Sequence, residues 1–423
     1  MQLSRRDALR GSGLAVLGLG LSSLAACSND SAGTGTSGTT LWYWGGGLSD
    51  AVVEAAKQQF PDAGITPSKI GGDFKQKLQT AFTGGAFAPA ITGVKGEDMA
   101  YFKSVAAKFT DLGPLGGTEA AATGLAWKWE QGRTADGKQI GYPIDIGPTA
   151  MFYRSDLFEQ AGLPTDPTAV SAAVATWDGF YALGQELHGK VPATFPVSSL
   201  GVLWGILTGQ TTQRYVGEDG SFTGDSEELH DAWRTAVRAQ ALGLNANAAQ
   251  NLNPALADGT IGTEMGAAWH ALDISDGAPD TAGKWRVADN PVKPTSIGGS
   301  FLAIPATTKD PQQAFSIIQW ILSPENEAKG YADASIFPAD PAAWTLPALT
   351  EGDAFFGGQK TIDIFGPAAQ LVPAQFESPF DAAVGAPYGD ELTKVETAGK
   401  DPEQAWTDAV AAARQVADRA GVK

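Results

Sequence analysis

The sequence predicts an α/β protein with mostly parallel sheets. Short apolar runs that fit strands alternate with amphipathic stretches of helical period over most of its length. Helix starts are marked by Ser, Asp or Asp-Pro and helix ends by Gly or Pro, and no internal repeat competes with this reading. Residues 40–44 form the first expected strand, with Trp42 and Trp44 on one face. Ser49 then caps a helix carrying Val52, Val53, Ala56 and Phe60, stopped by Pro61. A second helix spans 76–82 and ends at Gly84-Gly85, and residues 140–144 and 150–154 read as short strands. Asp225-Ser226-Glu227-Glu228 opens a helix whose inner stripe is Leu229, Ala232, Trp233, Ala236 and Val237, closed by Gly243. Asp310-Pro311 caps another, with Phe315, Ile318, Ile321 and Leu322 inward; Asp401-Pro402 starts the last, bearing Ala405, Trp406, Ala409 and Val410.

The amino terminus carries a different kind of signal. Arg5-Arg6 precede an uncharged run from Gly11 to Ala26, and Leu24-Ala25-Ala26 precede Cys27, the only cysteine. The run is short for a membrane span and rich in Gly and Ser, so residues 1–26 read as an export signal and Cys27 as a lipid-attachment site. Acylation would use up the one thiol, and stable anchoring takes two or more acyl chains. Residues 28–39 hold no aromatic or branched aliphatic side chain, so 27–39 is expected to be a flexible tether outside the fold. Its reach is roughly 20 Å.

Composition excludes several functions. The formal charge is −18; removing residues 1–26 takes away three arginines and one aspartate and leaves −20. Such a chain repels nucleic acid and anionic head groups, and no basic stripe offers phosphate contacts. No second cysteine exists to form a disulfide, so packing must suffice. The G-x-S-x-G elbow is missing, and His188, His230 and His270 are scattered without metal-ligand spacing, so neither catalysis nor a metal or other cofactor is expected. His230 is expected to decorate the helix after Ser226. Residues 132–139 imitate a phosphate-binding loop, but Gln139 stands where a hydroxyl should hold magnesium; Asp136-Gly137 fits a hairpin turn better.

Twelve tryptophans are about twice what a soluble chain of this length would carry. Many must be core. Trp44 before Gly45-Gly46-Gly47, Trp204 in Leu203-Trp204-Gly205 and Trp269 after Gly266 lie beside glycines, where a ring can serve as a stacking platform.

Several segments resemble the extracellular solute-binding proteins of carbohydrate ABC importers, the maltose-binding type. The arginine pair and Cys27 likewise look like a twin-arginine signal and a bacterial lipobox, although Ala8 stands where the former usually has phenylalanine. One segment is Gly141-Tyr142-Pro143-Ile144-Asp145-Ile146-Gly147-Pro148 running to Ala161-Gly162-Leu163-Pro164, where that family first crosses between lobes. Others are Gly71-Gly72-Asp73-Phe74 with Lys77-Leu78, residues 256–269 ending in a match to a sugar-stacking tryptophan, and Gly298-Gly299-Ser300 through Pro305, the return crossing. Ala90 replaces a common aspartate, and Glu264 replaces a small residue before Met265, in a strand, where it is expected to affect packing only.

The resemblance implies a two-lobed, periplasmic-binding-protein-like (type II) fold with discontinuous lobes, 40–146 plus 288–340 and 147–287 plus 341–423, joined by a hinge. It implies a monomeric carrier that closes on a neutral mono- or oligosaccharide and delivers it to ABC permease subunits, held to the membrane by its lipid. Stacking is expected from Trp44, Trp204 and Trp269, hydroxyl contacts from Asp73, Glu97, Asp98 and Asp145, a further contact at Gly299, and lesser ones from Phe380 and Asp381. Taken alone, each carboxylate reads first as a solvated or capping residue. A polyamine receptor would also suit the acidic charge, a peptide receptor would be built alike, and a secreted glycoside hydrolase would also want rings and paired carboxylates.

Overall fold

The structure is a computed structural model describing residues 38–84 and 88–423. The expected export signal, Cys27 and the tether as far as residue 37 lie outside the described residues. Thr39, assigned to the tether, is instead buried in the fold. Its N–H donates to the Ala63 carbonyl at 2.8 Å, and its own carbonyl accepts from Thr66 N–H at 2.9 Å.

Among the described residues eight strands form two sheets. The first contains β1 (Thr40–Tyr43), β2 (Thr66–Lys69), β3 (Ile91–Lys95), β4 (Tyr142–Asp145) and β8 (Ser300–Ala303), in the order β2-β1-β3-β8-β4. The second contains β5 (Thr149–Arg154), β6 (Thr263–Ala267) and β7 (Trp285–Ala288), in the order β6-β5-β7. The expectation of mostly parallel sheets is corrected here. Only β2-β1-β3 run parallel, with Leu41 opposite Ile91, while β8 lies antiparallel to β3 and β4 and the second sheet is wholly antiparallel. The cause is the return of the chain: β8 enters the first sheet from the far side, without a crossover helix to turn it round.

Period-two alternation divides the cores. Met151 and Tyr153 of β5 point into one cluster with Trp204 and Trp233, while Ala150 and Phe152 point into another with Trp285 and Phe365. Across the first sheet Leu41, Tyr43 and Leu302 face one core, and Trp42, Trp44 and Phe301 face the other. Capping follows the sequence closely. The Ser49, Asp73, Ser226, Asp310 and Asp401 side chains accept from backbone N–H groups at the starts of Asp50–Gln59, Phe74–Thr83, Glu227–Ala241, Pro311–Ile321 and Pro402–Ala420. The 132–139 segment is the expected hairpin: Thr134 N–H donates to the Lys138 carbonyl at 2.9 Å. Among the described residues no helix is long and apolar enough to cross a membrane.

Three segments converge where the two sheets meet. Residues 146–148 join β4 directly to β5. Pro148 bridges Ser296, and Ile297 N–H donates to the Gly147 carbonyl at 2.9 Å. Asp145 bridges Pro338, and Ile146 N–H reaches the Phe337 carbonyl at 3.1 Å. The approach at Gly147 is close: a Cβ there would lie 1.9 Å from the Ile297 carbonyl oxygen.

Candidate ligand-binding site

The site is built on the ends of β3, β4 and β8 beside this crossing. Lys95 ends β3, and Gly96 opens the helix Gly96–Ser104, which carries Glu97 and Asp98 in its first turn. Gly298 and Gly299 both hold φ near +80°, at +76° and +79°, a conformation glycine adopts without the strain a side chain would bring. Space also demands glycine here. A Cβ on Gly96 would lie 2.1 Å from the Gly299 oxygen, and one on Gly299 would lie 2.7 Å from Lys128 Nζ and 2.9 Å from the Asp145 oxygen. The two backbone turns, Lys128 and Asp145 are therefore in mutual contact.

Trp269 stands at this turn. Its Nε1–H donates to the Ile297 carbonyl at 3.2 Å, its nitrogen lies 3.7 Å from where a Gly298 Cβ would be, and the residue is 36% exposed. A tethered, open ring can take a flat apolar surface. Trp44 is half-buried, edge-on to Phe74 at 5.1 Å, and wedged against Gly47 and Gly93. Lys95 Nζ lies 5.6 Å from its ring centre.

Trp204 is a correction. It is 6% exposed, its Nε1–H is used by the Tyr215 hydroxyl at 3.1 Å, and Tyr388 stacks on it at 5.7 Å. The helix Leu200–Gln210 around it is apolar on nearly all sides, and the Trp204 ring turns into the lobe's core while the neighbouring Gly205 faces solvent. Asp381 is a second correction: only 7% exposed, it accepts from Ser378 N–H at 2.7 Å and Tyr215 N–H at 3.3 Å. Both oxygens serve backbone donors, and burial raises its carboxyl above the usual range. Phe380 is exposed at the start of the helix Asp381–Ala398.

The carboxylates divide. Asp73 is exposed and caps its helix through Gln76 N–H at 2.9 Å. Asp98 pairs with Lys75 at 3.0 Å. Glu97 is exposed and close enough to Asp145 and Lys128 to act on both. Burial raises the Asp145 carboxyl, while Lys128 and hydrogen bonds from Ser300 pull it back.

Lys128 carried no sequence signal beyond its place between two tryptophans. It is 1% exposed, and burial pushes its amine down to about 8 against the pull of Asp145, Glu377 and Glu97. Its Nζ sits 3.9 Å from the Phe301 ring centre and donates to Gln131 Oε1 at 3.0 Å. Gln131 Nε2 in turn donates to Glu377 at 3.1 Å, which lies 3.9 Å from Arg214. This chain of polar groups leads from the crossing into a cleft of about 330 Å³, whose walls include Gln131, Arg214, Thr295, Gln375, Phe376 and Glu377. Among the described residues no three His, Cys, Asp or Glu side chains are gathered as a metal would require.

A mixed sheet and an antiparallel sheet joined by three crossing segments, with rings and carboxylates beside the crossing, define a two-lobed binding protein. Residues 51–357 match the family of bacterial extracellular solute-binding proteins, and the chain belongs to it. A lactose-binding protein of Rhizobium radiobacter is 26% identical over 82% of this chain and 87% of its own length. An arabinooligosaccharide-binding protein of Bacillus subtilis is 21% identical over 76% and 78%. A solved extracellular solute-binding protein of family 1 superposes with a TM-score of 0.84 at 27% identity, covering 90% of this chain and 99% of that one. The galacto-N-biose/lacto-N-biose I-binding protein of Bifidobacterium longum, solved with lacto-N-biose, gives 0.75 at 20% identity over 91% and 98%. These relatives are binding proteins, and membership implies an exported chain.

Proposed function

We propose that this protein binds a neutral sugar, an oligosaccharide of two or more units, between its lobes and hands it to an ABC permease. The carrying observation is the convergence at the crossing: Trp269, Gly298-Gly299, Glu97 and Asp145 come from separate stretches of sequence to one place. The rings would take the apolar faces of sugar units, and the carboxylates would accept from hydroxyls, as charge-assisted bonds do best. The lobes are 40–146 plus 288–340 and 147–287 plus 341–423, and only a ligand touching both shifts them shut. Lactose, arabinooligosaccharide and lacto-N-biose receptors among the relatives support the sugar class. Lys95 and Lys128 beside the site disfavour a polyamine, which would want carboxylates alone.

The reading extends to the amino terminus. Cys27 carries the lipid, residues 1–26 with Arg5-Arg6 direct export by the twin-arginine or the general route, and a monomer serves the permease without catalysing a reaction. Calorimetry with lactose, lacto-N-biose, arabinotriose and spermidine tests the ligand class. Saturable heat with a neutral sugar and none with spermidine is the expected result; the reverse sinks the assignment.

A further inference from the structure

Glu264 departs from the small residue that the family resemblance leads one to expect, and the expectation that it affects packing alone does not survive its surroundings. It lies in β6 opposite Phe152 and is 2% exposed. Its Oε1 is 3.8 Å from His270 Nε2, within ion-pair reach but short of a hydrogen bond. Glu264 Oε2, His270 Nε2 and Ser198 Oγ are all buried without a hydrogen-bond partner. Unpaired buried polar atoms are costly, and three of them together call for a reason.

His270 directly follows Trp269 and begins the helix His270–Gly277. The two rings meet edge to face with centres 6.0 Å apart. His270 lies flat on the strand: a Cβ on Gly266 would be 2.8 Å from its Cδ2. The groups facing the pair are Asp273 from the same helix, which meets His270 Nδ1 at 3.0 Å, Ser198 ahead of the helix Leu200–Gln210, and Phe152 from β5.

We infer that Glu264 and His270 are positioning residues for the Trp269 ring, and that their charge balance fixes the ring and so couples ligand grip to the protonation of the pair. With one proton on the pair, a carboxylate faces an imidazolium at ion-pair distance, or both groups are neutral, and no bare charge is buried. Without it, a carboxylate stays buried with an unpaired oxygen, and the strand behind His270 leaves only outward movement for relief. That movement carries Trp269 with it. Burial raises the Glu264 carboxyl to about 7, which puts the change near neutral pH. The effect on grip rests on the sugar-binding reading; the link between the pair and the ring does not.

The test is a titration from about pH 5 to about pH 9, the range in which such a pair changes charge. Imidazole nitrogen signals and the Trp269 indole N–H are followed by NMR in the ligand-free protein, where only three histidines need assigning. The Trp269 indole is expected to shift as the pair changes charge, and Glu264→Gln to flatten the Trp269 response while the His188 and His230 signals are unchanged. A flat Trp269 signal in the parent, or a Trp269 step that persists unchanged in Glu264→Gln, overturns the inference. Lactose affinity measured in parallel should weaken by about threefold or more at high pH in the parent and stay level in Glu264→Gln. A level lactose affinity in the parent overturns the coupling to grip. A Trp269 step with no lactose response at any pH supports the positioning role and counts against the sugar reading instead.

Discussion

The two sheets bring different chemistry to the same crossing. The first ends in short turns after β3, β4 and before β8, and these hold charge: Lys95, Glu97, Asp145 and, beneath the Gly298-Gly299 turn, Lys128. The second, small and antiparallel, sends one exposed ring, Trp269, from the turn after β6, and packs Trp204 into its own core. Indoles on the second side therefore divide into one that meets solvent and others that hold the lobe together, and identical chemistry gives opposite roles through burial alone. A ligand needing both halves must present apolar faces toward one side and hydroxyls toward the other.

Substitution at the two tryptophans breaks that contrast most sharply. Trp204→Ala should lower unfolding stability by about 3–5 kcal/mol in urea or guanidinium melts, the usual cost of emptying an aromatic site in a core. The pH dependence of stability is next in size. A carboxyl raised in the folded chain contributes stability fully below its ordinary value of 4.5 and loses it as pH rises through about 7. The Glu264 contribution should thus fall by up to about 3 kcal/mol over that window, and denaturant melts of Glu264→Gln should lack the fall. Trp269→Ala should leave unfolding within about 0.5 kcal/mol of the parent, as at other exposed positions. It should nonetheless cost roughly 2 kcal/mol or more in sugar affinity by calorimetry. The smallest effect is at Asp73, where Ala should cost about 1 kcal/mol of stability through the lost cap, and Asn should restore it. If Asn restores stability and leaves affinity low, the carboxylate also touches ligand.

Local signals were legible. Ser49, Asp310-Pro311 and Asp401-Pro402 announced helix starts because a cap depends on a few adjacent residues. The stripe Leu229, Ala232, Trp233, Ala236 and Val237 is buried as its spacing requires. Strand direction was not legible: β8 runs antiparallel because of where the chain returns from, which no neighbouring residue encodes. Trp204 and Asp381 misled for the same reason. Each resembles an open-site residue in sequence, and only packing with Tyr388, or backbone N–H groups from Tyr215 and Ser378, discloses its structural use. Lys128 went unnoticed because burial of a lysine leaves no local mark, and Glu264 stood out as a departure whose partner, His270, lies beyond the strand end.

If the two lobes clamp an uncharged guest, a crystal structure with the tightest-binding saccharide will show a sugar unit lying on the Trp269 ring, with hydroxyls reaching Glu97 or Asp145 across the crossing. A saccharide held by one lobe alone, with Trp269 left bare, would rule the clamp out.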